Sequence, residues 1–314
     1  MKQSTINRIL ETPLTFPYFD VDALRALEPM DTRLKASLYD VTPKIEKEYG
    51  FDPERVPEII LAEYQAGRYI TRKMKDKGIS AVFAAELSGM DKSRMSKYLS
   101  GKRPFSPGAA NIAPFCYNVV GESCNKVMFG YEESITLPSV YAETAKALLK
   151  ITPEKKSALL RKAQVQMALY VKQNPNPVKN APHRDLSEMI GERIFELIYD
   201  QGTHGYLLFG QETPYVIRNY LRQFCLEEFK SESPRLGYLM YLAFESRMAL
   251  DYFVAEDFTK FSDCYYNDGD EKVQITDKDT LQYIGICSSV PSEQKIKLMG
   301  AAIGAGLSIE AQNN

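Results

Sequence analysis

A short basic segment carries the side chains best suited to binding a polyanion. Residues 89 to 104, GMDKSRMSKYLSGKRP, hold five Lys and Arg side chains in sixteen positions. Lysine and arginine donate hydrogen bonds to phosphate oxygens, and the planar guanidinium of Arg94 can also pair with two acceptors on a guanine edge. These residue types predict phosphate binding with base recognition by arginine. The alternative is a helical hairpin with a merely solvated basic face.

The segment lies in a basic island, residues 66 to 104, within an otherwise acidic chain. The island has ten Lys and Arg against three Asp and Glu, whereas the rest of the chain has 29 basic and 38 acidic residues. The net charge of −2 conceals this asymmetry. A concentrated basic patch of this kind is typical of a surface that binds nucleic acid.

Other residue types that could do chemistry show no matching arrangement. The five cysteines are scattered without a CxxC pair, His183 lies in a segment rich in proline and asparagine, and His204 follows a glycine. We therefore expect buried reduced thiols, no bound metal or other cofactor, and a protein that is not an enzyme. No window of about 18 apolar residues and no secretory pattern occurs, which predicts a cytoplasmic protein without a membrane partner.

Two short helices must position the basic segment. The first is predicted from about Ser80 to Ser88 and ends at Gly89, and the second begins with Asp91 as N-cap and ends near Ser100. Such a pair joined by a glycine turn is a helix-turn-helix. Its spacing directs Met90, Met95 and Tyr98 inward, while Lys92, Ser93, Arg94 and Lys97 are directed outward together.

The stretch AAELSGMDKSRMSKYLSGKRPFSP, followed by the apolar GAANIAPFCYNVVG, resembles the Cro and phage-repressor family of helix-turn-helix DNA-binding domains, of the xenobiotic-response-element type. The resemblance covers roughly residues 63 to 130. It implies a lambda-repressor-like bundle of about five helices, in which residues 91 to 100 form the recognition helix in the major groove. The predicted DNA-binding residues are Ser80, Lys92, Ser93, Arg94, Lys97, Lys102 and Arg103.

The chain departs from the family pattern in the first helix of the motif. Ala84 and Ser88 stand where the family has larger apolar residues, and Phe83 and Leu87 each stand one place earlier. Ala81 replaces a glutamine that commonly contacts DNA.

Helical periodicity elsewhere predicts an all-α protein in five parts. These are an N-terminal helical extension (1–60), the helix-turn-helix DNA-binding domain (61–135), a helical connector (136–171), a linker (172–185) and a C-terminal all-helical dimerisation or sensing domain (186–314). Within the last part, the acidic stretch DGDEKVQITDKD (268–279) is expected to be a solvated loop. Gly300 and Gly304 are expected to let their helix pack closely on another.

Weak internal similarity suggests that the C-terminal half is a degenerate duplicate of the helix-turn-helix half. Its matching window, residues 190 to 232, has four basic and seven acidic residues, a charge that would repel phosphate. This half is therefore expected to serve as a scaffold, a dimer interface or a sensor for a peptide or small-molecule effector.

Together these features predict a sequence-specific DNA-binding transcriptional regulator, a dimeric repressor whose partners are double-stranded DNA and a second copy of itself. The alternative is a protein-interaction adaptor or antitoxin-like protein in which the helix-turn-helix is autoregulatory or structural. If the protein is a regulator, Arg94→Ala and Lys97→Ala should abolish operator binding and leave folding and oligomerisation intact. If it is an adaptor, binding of its protein partner should survive these substitutions.

Overall fold

The computed structural model of the chain is mostly helical and contains one small sheet. It describes residues 56–101, 103, 105–173, 186–200, 248–261 and 263–313, together with residues 236, 237, 239, 240 and 243. The proposed N-terminal extension up to residue 55 and residues 174–185 of the proposed linker lie outside this part of the chain, so the division into five parts stays a prediction.

The first five helices form a bundle that contains the predicted motif. They are α1 (Val56–Asp76), α2 (Ala81–Ser88), α3 (Lys92–Leu99), α4 (Ala109–Phe115) and α5 (Cys124–Phe129), and a short π-helix, Cys116–Val120, extends α4. Helix α1 packs on α3 and α5, and α2 packs on α3 and α4. The expected helix, turn and second helix between residues 80 and 100 are therefore present.

Local sequence signals set the ends of these helices. The Asp91 side chain accepts a hydrogen bond from the N–H of Arg94, so Asp91 is the N-cap of α3 as predicted. Ser80, predicted as the approximate start of the first helix, is the N-cap of α2, and its side chain accepts a hydrogen bond from the N–H of Phe83. The turn between α2 and α3 needs Gly89, whose φ of 66° lies in the left-handed region that residues with a Cβ seldom adopt.

The C-terminal half is not all-helical, which corrects the all-α prediction. Strands β1 (Ile135–Thr136), β2 (Cys264–Asp268) and β3 (Glu271–Gln274) form a sheet in that order, with β1 and β2 parallel and β2 and β3 antiparallel. Much of the acidic stretch expected to be a loop is therefore a β-hairpin. Asp268 pairs with Glu271 across a two-residue turn in which Gly269 has a φ of 62°.

Helices α6 (Ser139–Lys150), α7 (Pro153–Gln173), α8 (Leu186–Asp200), α9 (Leu250–Val254), α10 (Lys278–Ser289) and α11 (Ser292–Asn313) complete the described elements, with a 3₁₀ turn at Phe258–Lys260. Helix α11 packs on α6, and α7 packs on α10. One cluster of buried apolar side chains runs continuously from Ala66 in α1 to Ala302 in α11.

Gly306, and not the expected pair of glycines, allows the close approach of α11 and α6. A Cβ added at Gly306 would lie 2.9 Å from the Cβ of Ala147, whereas one at Gly300 or Gly304 would meet no atom within 4 Å. Within the described part of this chain, Gly300 and Gly304 do not make the expected close helix contact, because their four-residue spacing places them on the exposed side of α11.

Glu192, Arg193 and Glu196 of α8 lie largely inside the protein. The Nζ of Lys295 lies 2.8 Å from Oε2 of Glu192 and 2.6 Å from Oε1 of Glu196, and Arg193 is fully buried, where it donates to the carbonyls of Tyr252 and Ala255. These groups compensate one another and do not present an acidic surface to a phosphate. Residues 201–232 of the same window lie outside the described part of the chain.

A buried carboxylate joins the five-helix bundle to the C-terminal half. Asp251 on α9 accepts hydrogen bonds from the N–H groups of Cys124 and Asn125 at the start of α5, at 2.7 and 2.9 Å, and from the hydroxyl of Tyr117. Asn125 returns a bond, accepting from the N–H of Leu250 at 3.0 Å. These hydrogen bonds join the bundle to α9.

Candidate nucleic-acid interface

Helix α3 presents the predicted side chains on one exposed face. Met95 and Tyr98 are buried against the bundle, as expected. All four residues of the α3 outer face, defined here as Lys92, Ser93, Arg94 and Lys97, are exposed. At eight residues, α3 is about 12 Å long, close to the roughly 12 Å width of the major groove of B-DNA.

Ser80 caps α2, the helix that packs on α3, and Arg103 follows α3 in sequence. The Ser80 hydroxyl accepts the N–H of Phe83 at 3.2 Å, which leaves the hydroxyl hydrogen available to donate to an anion. Arg103 follows α3 in an exposed position, where its N–H donates to the carbonyl of Lys97 at 3.3 Å. Lys102, the remaining member of the predicted set, lies outside the described residues.

Lys92 is the member of the predicted set with an ion pair in the described part of the chain. Its Nζ lies 3.4 Å from Oε1 of Glu86, and both side chains are more than half exposed. An exposed pair of this kind contributes about 0 to 1 kcal/mol, so a phosphate can replace the carboxylate at little cost.

The α2 residues that depart from the family pattern differ in how deeply they are buried. Ala84 and Ser88 are fully buried, and α2 packs on α4, with Asn111 Nδ2 donating to the carbonyl of Ser88 at 3.0 Å. Val82 is 48% exposed and Phe83 is 50% exposed, whereas Leu87 is partly buried against the core.

The loop after α3 is fixed to α1, which positions Arg103. The N–H of Phe105 donates to the carbonyl of Glu63 at 3.1 Å, and the hydroxyl of Tyr98 donates to the carbonyl of Ser106 at 2.7 Å. The Phe105 ring packs edge-on against Tyr98 with centroids 5.3 Å apart. These contacts hold Phe105 and Ser106, which follow Arg103, against α1 and α3.

A buried carboxyl lies beneath this loop. Glu63 is 6% exposed, and burial raises its pKa from 4.5 to about 8, against a smaller opposing effect of a hydrogen bond from Ser106. Burial also raises the pKa of Tyr98, while the nearby positive charges of Arg94 and Arg103 lower it. At neutral pH Glu63 is protonated, so it adds no negative charge under the basic surface.

A cleft of about 340 Å³ lies between α1 and the C-terminal end of α3. We call it the α1–α3 cleft. Its polar lining comes from both elements and comprises Arg68, Thr71, Arg72, Lys75, Ser100 and Arg103. Because Arg103 lines the cleft and also flanks the α3 outer face, the two form a continuous basic surface.

The sequence interpretation counted the α1 cations in the basic island but gave them no role. Arg68, Arg72 and Lys75 are spaced by four and three residues, which places them on one helix face, and this spacing is the signal that could have found them. Lys73 and Lys77 lie elsewhere: Lys73 pairs with Glu122 at 2.7 Å and Lys77 donates to the carbonyl of Val120. These two lysines therefore hold α1 to the bundle.

The cysteines form no metal-binding group in the described part of the chain. Cys116, Cys124, Cys264 and Cys287 are buried free thiols, as expected, and burial raises the pKa of each. Among the described residues no group of three or more His, Cys, Asp and Glu side chains is arranged to hold a metal ion. Cys225, His183 and His204 lie outside the described part of the chain.

A second cleft, of about 540 Å³, lies between α7 and α10. Met167 and Val171 of α7 and Ile286 of α10 contribute apolar lining, and Glu256 and Asp257 contribute acidic groups. Its α7 wall belongs to the segment predicted as a connector and not to the predicted sensing domain.

Comparison with models of protein families, with curated proteins and with solved structures finds no match to this chain. Within the described residues, none of the helices combines the length and the apolar character that a membrane span requires.

Proposed function

We propose that the protein is a cytoplasmic, sequence-specific DNA-binding regulator that acts as a dimeric repressor. In this proposal α3 enters the major groove of double-stranded DNA. Arg94 pairs with a guanine edge, Ser93 and Lys97 contact base edges or adjacent phosphates, and Ser80, Lys92, Lys102 and Arg103 hold the backbone.

One observation carries the proposal: the four polar side chains of the α3 outer face are all exposed on a helix whose opposite face is anchored in the core. A solvated helix face needs no such concentration of cations, and like charges placed close together repel one another. A polyanionic partner removes that repulsion and releases counterions as it binds.

Selection from a pool of random duplexes tests sequence recognition. We expect the full chain to enrich a defined sequence, and Arg94→Ala to lose discrimination at one position by about 1 to 3 kcal/mol. The matched control is Arg161→Ala, which removes an exposed arginine from α7. Equal enrichment by wild type and Arg94→Ala, with both folded by circular dichroism, would contradict the assignment of Arg94.

The exposed side of α11 supports the proposed dimer. Ile296 is 70% exposed and Leu307 is 58% exposed, and both lie on the side of the helix where Gly300 and Gly304 leave open space. Two such faces can pack against each other and bury apolar area that water otherwise contacts. We propose this face as the contact between two copies, which a two-fold operator requires.

The cleft between α7 and α10 supports a proposed effector. Apolar walls with a few polar groups are typical of sites for small organic ligands or peptide side chains. Its acidic members, Glu256 and Asp257, favour a ligand with a positive charge.

A second candidate function, the adaptor or antitoxin-like protein, is favoured by one specific observation. Val82 and Phe83 form an exposed apolar pair beside α3. Paired Phe83→Ser and Arg94→Ala variants distinguish the candidates, since a regulator loses operator binding only in the second and an adaptor loses its protein partner only in the first.

A further inference from the structure

The α1–α3 cleft is the described site that the proposed role of α3 leaves unexplained. Thr71 and Arg72 of α1 face Ser100 and Arg103 across an opening of about 340 Å³, a volume that admits a phosphate group. The cleft concentrates cationic side chains from two elements that are far apart in sequence.

In the described part of the chain, the side chains of Arg72, Lys75 and Arg103 are not the groups that bind the last carbonyls of α3. Backbone N–H groups donate to two of the last carbonyls of α3: the N–H of Arg103 to the carbonyl of Lys97, and the N–H of Gly101 to the carbonyl of Tyr98. The Thr71 hydroxyl donates to the carbonyl of Leu99 at 3.3 Å. No ion pair joins Arg72, Lys75 or Arg103 to an acidic group within the described part of the chain. Their charge is therefore available to a ligand.

The position of the cleft matches the wall of a DNA groove. With its N-terminal turn in the major groove, a helix about 12 Å long has its C-terminal end beside the sugar-phosphate backbone. The cleft opens at that end and brings α1 side chains to it. The glutamic acid beneath the loop, Glu63, is protonated at neutral pH and does not repel an anion there.

We propose that the α1–α3 cleft is a phosphate-binding site, in which Arg72, Lys75 and Arg103 hold one or two phosphate groups. The source of the phosphate is a backbone phosphodiester of the duplex bound by α3, and to that extent the inference rests on the proposed function. A free phosphorylated ligand offers the same chemistry, and the experiment separates the two sources.

The test compares Arg72→Ala/Lys75→Ala with the control Arg161→Ala/Lys162→Ala, which removes the same residue types from exposed positions on α7. In the first measurement, each full-length protein is titrated with a random duplex at several salt concentrations. The log–log salt slope of the cleft variant is expected to be smaller than that of wild type by about 1.8, because each phosphate contact contributes about 0.9. The control should keep the wild-type slope.

In the second measurement, sodium tripolyphosphate alone is titrated calorimetrically into the same proteins and into Arg94→Ala/Lys97→Ala. Binding that is lost in the cleft variant and kept in the α3 variant supports a phosphate site that also accepts free ligands, even if wild type binds no duplex. A smaller duplex slope without tripolyphosphate binding supports the backbone source. The inference would be overturned if the cleft variant kept the wild-type salt slope for duplex binding and also bound tripolyphosphate no more weakly than wild type. That result would leave the proposed role of α3 intact.

Discussion

Replacing Glu63 with glutamine should change the pH dependence of stability. The carboxyl is buried beneath the loop that carries Arg103, and its pKa in the folded chain is about 8 instead of 4.5. Between these values the folded protein keeps a proton that the unfolded chain has lost. The folded state therefore binds more protons, and the free energy of unfolding falls as pH rises.

The magnitude follows from the two pKa values. For each pH unit between about 4.5 and 8, the free energy of unfolding falls by about 1.4 kcal/mol. The stability that Glu63 contributes therefore falls by about 5 kcal/mol across that window and is lost as pH passes 8. Glutamine is similar in shape and does not ionise. We expect Glu63→Gln to lack this decline and to be more stable than wild type at pH 9.

Urea unfolding followed by circular dichroism from pH 4 to pH 9 measures the effect, and Glu86→Gln is the control because Glu86 is exposed. The control profile should parallel that of wild type. Duplex binding should show the same pattern, with wild type losing affinity above pH 8 and Glu63→Gln keeping it. Parallel stability profiles for wild type and Glu63→Gln would refute the reasoning that Glu63 is protonated in the folded state.

Three further predictions concern the packing of the bundle on α9, the packing of α11 on α6, and the proposed dimer contact. Asp251→Ala leaves two buried N–H groups without an acceptor, and the free energy of unfolding in urea should fall by at least about 3 kcal/mol. Gly306→Val forces a side chain against Ala147 and should cost about 1 to 3 kcal/mol in thermal unfolding, whereas Gly304→Ala should stabilise by about 1 kcal/mol. Ile296→Glu should convert the proposed dimer to a monomer in analytical ultracentrifugation with α11 intact; an unchanged sedimentation coefficient would contradict the proposed contact.

The helix-turn-helix elements could be predicted because their signals are local. Ser80 and Asp91 cap helices within three residues, and Gly89 permits a left-handed turn wherever the tertiary structure places it. The buried Met95 and Tyr98 follow from the same short helical period. The outward direction of the α3 side chains needed no information from the rest of the chain.

The sheet was missed for two different physical reasons. Strand β1 has only two residues, and its partner strand β2 lies more than 120 residues later in the sequence, so no local sequence pattern predicts it. The β2–β3 hairpin did have a signal, the Asp268-Gly269 pair between alternating residues, but its acidic composition favoured the loop interpretation.

Long-range polar contacts explain the rest of what the sequence did not reveal. Asp251 bonds partners about 126 positions away, and Glu63 acquires its high pKa because folding buries it, against the opposing effect of a hydrogen bond with Ser106. Neither residue has a neighbour in sequence that indicates its role. The α1–α3 cleft is an intermediate case, since helical spacing aligns Arg72 with Lys75 but only the fold brings Arg103 to them.

Fluorescence anisotropy with a selected duplex and a shuffled duplex, each titrated at several salt concentrations, tests the central claim most directly. The account predicts tight binding to the selected duplex, a log–log salt slope of about −5 from about six phosphate contacts, and a large loss of preference in Arg94→Ala. Equal weak binding to both duplexes, or none, would contradict the claim that α3 recognises DNA sequence.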